Sequence, residues 1–248
     1  MTLLICSVLI FVFTAILTVA GVGAAFIVVP TLFWLGIPLA EAMAVGLLLN
    51  VASLGLASVT YIRKGLVNFR AALPIIVVSV LLSPLGVHSA HLIKRETLLA
   101  LFATFLLFAA GMMLFYRPKS KEVITTGYKP LLNGGLVGGV AGYLGGLLGV
   151  GGGNIILPVL VGMGFDPKIA SATTGFAVVF ASLSGFLSHA TVGSANWNLL
   201  GCSLAAALAG AWLGAWLMTS RLDGAQVKKL IAVVLCLIAG KIIWGLWG

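Results

Sequence analysis

Carboxylates are almost missing from this chain: Asp and Glu number five among 248 residues, and all charged residues together make up only 8%. Glu41, Glu96, Glu122, Asp166 and Asp223 all lie near the ends of apolar segments, so the sequence offers no carboxylate proton relay inside a span. Cysteine is equally scarce. Cys6, Cys202 and Cys236 each sit alone in an apolar run, with no CxxC and no neighbouring histidine, which argues against both a disulfide framework and a thiolate metal site. His88 and His91 form a close pair beside Lys94 and Arg95 but lack a third ligand, so no metal site and no cofactor is expected. Ser182-Leu-Ser-Gly185 and His189 bring hydroxyl and imidazole into one span. A serine protease dyad would instead join two helices around a Gly-x-Ser-Gly turn, and position 182 is serine, so no catalytic residue is assigned.

What the chain has instead is apolar length. It is 61% hydrophobic, and its mean hydropathy is +1.23. A soluble fold could not cover that much apolar surface. Runs near the roughly 20 residues needed to cross a bilayer extend over Thr2–Val19, Leu39–Ile62, Ala71–Ile93, Thr97–Tyr116, Ile169–Ala190, Leu199–Thr219 and Val227–Trp247. The first run carries no basic n-region, and the apolar pattern continues past it, so it reads as part of the mature protein rather than a signal peptide. Lys and Arg number 14, but they occupy short loops rather than one face of a soluble module. They read as topology signals, and nucleic acid is not expected as a partner.

The chain superposes on itself without a gap. Gly21-Val22-Gly23 falls on Gly149-Val150-Gly151, Ile27 on Ile155, Pro30 on Pro158, Gly36 on Gly164 and Ala42 on Ala170. The same offset carries Gly65 onto Gly193, Asn68 onto Asn196, Phe69 onto Trp197 and Gly86 onto Gly214. The one long polar stretch, RPKSKEVITTGYKP, then separates a first membrane repeat, 1–116, from a second, 131–248, with a cytoplasmic linker at 117–130. Each half holds a glycine-broken pair of apolar segments followed by three full spans. The shorter member of each pair, Gly21 to Gly36 and Gly149 to Gly164, has about 16 residues, or roughly 24 Å as helix against a core of about 30 Å.

Charge sets the orientation. If each broken pair enters and leaves on one side, Arg63, Lys64, Arg70, Arg117, Lys119, Lys121, Lys129, Lys168, Arg221, Lys228 and Lys229 are cytoplasmic, eleven against three. Treating each pair as one broken span gives only eight against six. The better arrangement leaves an odd number of crossings per half. The expected fold class is therefore an all-α polytopic membrane protein made of two inverted repeats.

The motif Leu148-Gly-Val-Gly-Gly-Gly-Asn-Ile-Ile-Leu-Pro158, followed by Gly164 and Ala170-Ser-Ala-Thr-Thr174, resembles the sulfite exporter TauE/SafE family of membrane permeases. Ala20-Gly-Val-Gly-Ala-Ala-Phe-Ile-Val-Val-Pro30 is a degraded first copy. The loop Tyr61-Ile-Arg-Lys-Gly-Leu-Val-Asn-Phe-Arg70 and its counterpart Gly193-Ser-Ala-Asn-Trp197 are similar to the family as well. The resemblance covers nearly the whole chain. It implies export of sulfite, a sulfonate or another small oxyanion across the inner (plasma) membrane, with another small anion or a metal ion as the alternative cargo, the lipid bilayer as the other partner and self-association left open.

The residues themselves suggest where such an anion binds. Glycines let backbone approach a ligand, and a helix starting just after them presents unpaired N–H groups and the positive end of its dipole. The candidate site therefore lies between the Gly21 to Gly23 break and the Gly149, Gly151, Gly152, Gly153 and Asn154 break. Polar groups within spans join it: Asn50 with Ser53, and Thr173 and Thr174 beside Ser171. Ala24-Ala25-Phe26 stands where the second half has Gly152-Gly153-Asn154, so the second break is expected to carry more of the binding. Gly135, Gly138, Gly139 and Gly142 read instead as close helix-packing positions. An inside-negative potential drives an anion outward by roughly 2.3 kcal/mol per charge per 100 mV, so downhill export needs no coupling ion.

Overall fold

In the computed structural model the described residues are 2–34, 36–90, 92–94, 130–189 and 197–223, with scattered positions between 96 and 111 and between 226 and 240. They form eight helices and no strand. These are α1 (Thr2–Val19), α2 (Ala25–Trp34), α3 (Leu39–Arg63), α4 (Phe69–Ala90), α5 (Pro130–Leu148), α6 (Gly153–Gly162), α7 (Pro167–His189) and α8 (Trp197–Ser220). The expected spans Thr97–Tyr116 and Val227–Trp247 fall largely outside the described residues, and the linker at 117–129 wholly so. Pro130, assigned to the linker from sequence, is the first residue of α5, a position where proline's missing N–H costs nothing.

Among the described residues four helices are long and apolar enough to cross a membrane: Leu39–Arg63, Phe69–Ala90, Pro167–His189 and, within α8, Ser203–Ser220. The short members of the broken pairs are shorter than the sequence suggested. α2 and α6 have 10 residues each, about 15 Å of helix, or half the hydrocarbon core. Glycines set both limits. Gly21, Gly23 and Gly36 bound α2, and Gly149, Gly151, Gly152 and Gly164 bound α6, all with φ between +67° and +94°, a region L-residues with side chains avoid. α1 and α5 end in the same way. Val22 N–H donates to the Leu17 carbonyl and Val150 N–H to that of Gly145, the six-to-one closure of a Schellman turn.

Helix starts match the repeat offset: Ala25 and Gly153, Leu39 and Pro167, Phe69 and Trp197. The packing exchanges partners accordingly. α4 lies along α5 and α1 along α8, so the first helix of each half packs on the other half's last described helix. A methyl at Gly86 would collide with the carbonyl oxygen of Tyr143, and one at Gly214 with that of Ala15, the same pair with halves exchanged. Gly138, Gly142 and Gly146 bring α5 against the backbone of Ile75, Ser79 and Ser83, the close approach that membrane helices obtain from small residues. Gly135 and Gly139 face only the tips of Val78 and Leu82. At the centre α3 packs on α7, with Leu47 beside Gly185, Asn50 beside Ser182, and both Leu54 and Tyr61 beside Gly175, so these two helices run in opposite directions. Outside, Leu73, Val77, Leu81 and Leu85 recur every fourth residue of α4 as an exposed apolar face, suited to lipid.

Candidate functional site

The two glycine breaks touch. A methyl on Gly153 would stand 3.0 Å from the Cα of Val22 and 3.2 Å from the Gly21 carbonyl oxygen. Around this contact the residues singled out from sequence take two different roles.

Most of them hold the frame. Asn50 Oδ1 accepts the Ala25 N–H at 2.8 Å, while its Nδ2 donates to the Val150 carbonyl at 3.1 Å and to Ser182 Oγ at 3.4 Å. One carboxamide thus caps the start of α2 and grips the second break. Gly23 leaves room for Asn50, and Gly151 leaves room for Ser182. Gly21 makes room for Ser171, whose hydroxyl donates to the Val19 carbonyl at 2.6 Å; Gly149 makes room for Met43. Ser53 donates to the Leu49 carbonyl of its own helix at 2.6 Å. Thr173 Oγ1 accepts the Asn68 N–H at 3.0 Å, and Asn68 Oδ1 in turn accepts the Ala71 N–H at 3.1 Å, capping α4.

The rest are unengaged. Asn154 is 1% exposed, and neither its Nδ2 nor its Oδ1 has a hydrogen-bond partner. Thr174, fully buried, has an unpartnered Oγ1. Gly46, its repeat mate, packs on Ala25 and Val29, whose repeat equivalents are Gly153 and Leu157. The first N–H groups of α6, at Gly153 and Asn154, have no intrahelical partner by construction, and none among the described residues replaces it. Gly152, in the left-handed conformation at φ 75°, is the N-cap, and its missing side chain makes room for the Ala141 carbonyl.

The breaks are therefore unequal. The N-terminus of α2 is closed by Asn50 and filled by Phe26, which is fully buried; the N-terminus of α6 ends in free donors and an idle carboxamide. The C-terminal carbonyls of α1, which would repel an anion, are covered: Thr18 accepts from Tyr61 Oη at 2.9 Å and Val19 from Ser171. Sequence reading had not singled out Ser182 or Tyr61 as ties. A tyrosine and a serine deep in apolar runs were the available signal, since buried hydroxyls seek partners. Ser182 and His189 sit seven residues apart on α7, about 10 Å of helical rise, which is no dyad. The described residues hold no cluster of three or more His, Cys, Asp or Glu.

A bundle of apolar helices with two half-length helices meeting at glycine breaks is that of a multi-pass membrane protein. Residues 6–242 match the family described as sulfite exporter TauE/SafE, and the chain belongs to that family, one of membrane transporters. It is 25% identical to the probable membrane transporter protein YunE of Bacillus subtilis, over 90% of this chain and 91% of the relative. A probable membrane transporter protein of Methanocaldococcus jannaschii is 29% identical over 69% of this chain and 66% of its own. Sulfite exporter TauE/SafE family protein 3 of Arabidopsis thaliana is 49% identical, but over only 17% of this chain and 9% of its own length. No solved structure matches the chain.

Proposed function

We propose that this transporter exports a small sulfur-containing anion, such as sulfite or an organosulfonate, across the inner (plasma) membrane, and that it binds the anion at the N-terminus of α6. The observation that carries this reading is Asn154, buried with both polar atoms unpartnered beside the free N–H groups of a half-length helix. A buried, unpaired amide costs about 1–3 kcal/mol per polar group, so a ligand that pairs it recovers that energy. The site has the donors an oxyanion needs.

In this reading Gly153, Asn154 and Thr174 face the anion. Gly21, Gly23, Asn50, Ser53, Gly149, Gly151, Gly152 and Thr173 hold the two breaks at the right separation. The halves are inverted, a reading supported by the opposed directions of α3 and α7 and by the exchanged pairs Gly86 with Tyr143 and Gly214 with Ala15. An axis that relates two opposed membrane helices lies in the membrane plane, where inverted-repeat transporters place their substrate. The membrane potential then drives export.

Flux of sulfite, sulfoacetate, thiosulfate and chloride into and out of proteoliposomes tests the cargo. Movement of a sulfur oxyanion in preference to chloride is expected. Movement of a divalent cation with none of these anions would overturn the reading.

A further inference from the structure

We infer that the α6 site selects a singly charged oxyanion that still carries a proton, such as hydrogen sulfite, over the fully deprotonated dianion. The inference rests on the anion-site reading above and deepens it.

Charge compensation is the first ground. Among the described buried residues the polar side chains are Thr, Ser, Asn, Tyr61 and one His, with no Lys or Arg. A helix N-terminus supplies roughly half an elementary charge. The matching terminus of α2 has its Ala25 N–H already taken by Asn50, so the two together offer about one unit at most. That balances a monoanion and leaves a dianion with a whole charge uncompensated in a buried place, which is costly.

Donor and acceptor count is the second ground, and it is independent of charge. Asn154 leaves two different atoms idle, the donor Nδ2 and the acceptor Oδ1. A dianion or a halide satisfies only the donor. An anion bearing an O–H satisfies both, donating to Oδ1 while accepting from Nδ2, from the α6 N–H groups and from the Thr174 hydroxyl. The degenerate first half, with Phe26 at the equivalent place, offers no such pairing.

The test is binding of sulfite to the purified full chain across the pH range in which hydrogen sulfite loses its proton, with methanesulfonate, which stays singly charged throughout, as the control. Several protein groups on or near the helices packed around α6 could titrate: Glu41 and Tyr61 on α3, Tyr143 on α5, Lys168 and His189 on α7, and Asp166 in the turn before it. Any effect of theirs appears equally in the control. The expected result is that apparent sulfite affinity falls about tenfold per pH unit above that ionisation, while methanesulfonate, which has no O–H for Oδ1, binds more weakly than hydrogen sulfite but with an affinity that stays level. Sulfite that binds equally well or better as the dianion overturns the inference but leaves the anion site standing. Failure of both sulfite and methanesulfonate to bind at any pH overturns the site itself.

Discussion

Asn50 donates from Nδ2 to the carbonyl oxygen of Val150 across 3.1 Å, tying the central helix of the first half to the glycine break of the second. Its Oδ1 is occupied at the same time by the Ala25 N–H. Replacing Asn50 with Leu would orphan both groups in the interior, and each orphan costs about 1–3 kcal/mol. Asn50→Leu is therefore expected to lower the thermal unfolding midpoint of detergent-purified protein, and anion binding with it. An unchanged midpoint would show that the bridge holds nothing.

Much of this architecture was legible in the sequence. Helix limits followed from the apolar runs and the offset between halves, because glycine in place of a side chain is written directly in the chain: Gly21, Gly149 and Gly151 occupy the turns that demand positive φ. The division of labour among polar residues was not legible. Asn50 and Asn154 look alike in a sequence, each a lone carboxamide in an apolar run, yet the first has both polar atoms engaged and the second has neither. Only the packing of α3 on α7 and across both breaks decides which is which. The length of α2 and α6 was likewise overestimated from sequence, because an apolar run does not reveal which of its residues lie in the flanking turns.

Pseudo-symmetry in the packing predicts matched mutational costs. Gly86→Ala and Gly214→Ala each drive a methyl into a backbone carbonyl of the partner helix, and overpacking of this kind typically costs about 1–3 kcal/mol. Gly55, in the middle of α3, has nothing within 4 Å of where its Cβ would be. Gly55→Ala should be neutral, or stabilise by up to about 1 kcal/mol. Unfolding midpoints of the three variants check this; a Gly55→Ala as damaging as the other two would contradict the packing.

Inverted halves with the linker in the cytoplasm require Lys121 and Arg221 to face the same side of the membrane. Single cysteines at these positions should react with an impermeant thiol reagent from the cytoplasmic face only. Labelling from opposite faces would break the inversion.

Gly152 and its repeat mate Ala24 differ in backbone as well as in side chain. Gly152 has φ 75°, and a side chain there would run into the Ala141 carbonyl, while among the described residues none other than glycine has positive φ, Ala24 included. Gly152→Val should therefore fail to give monodisperse protein on size exclusion, and Ala24→Val should be milder. A well-behaved Gly152→Val would mean that this turn can take another conformation.

The most direct test of the site is Asn154→Leu, measured for stability and for sulfite affinity on the same purified protein. Phe26 at the repeat-equivalent position shows that an apolar side chain packs in this setting. With no anion present the variant removes two unpaired buried atoms, and it should be more stable by about 1–3 kcal/mol. With sulfite present it loses a hydrogen bond to a charged ligand, roughly 1.5–3 kcal/mol or about ten- to a hundred-fold in affinity. The account predicts these opposite signs: a higher unfolding midpoint together with weaker sulfite binding. Unchanged sulfite affinity in a stable Asn154→Leu protein would contradict it.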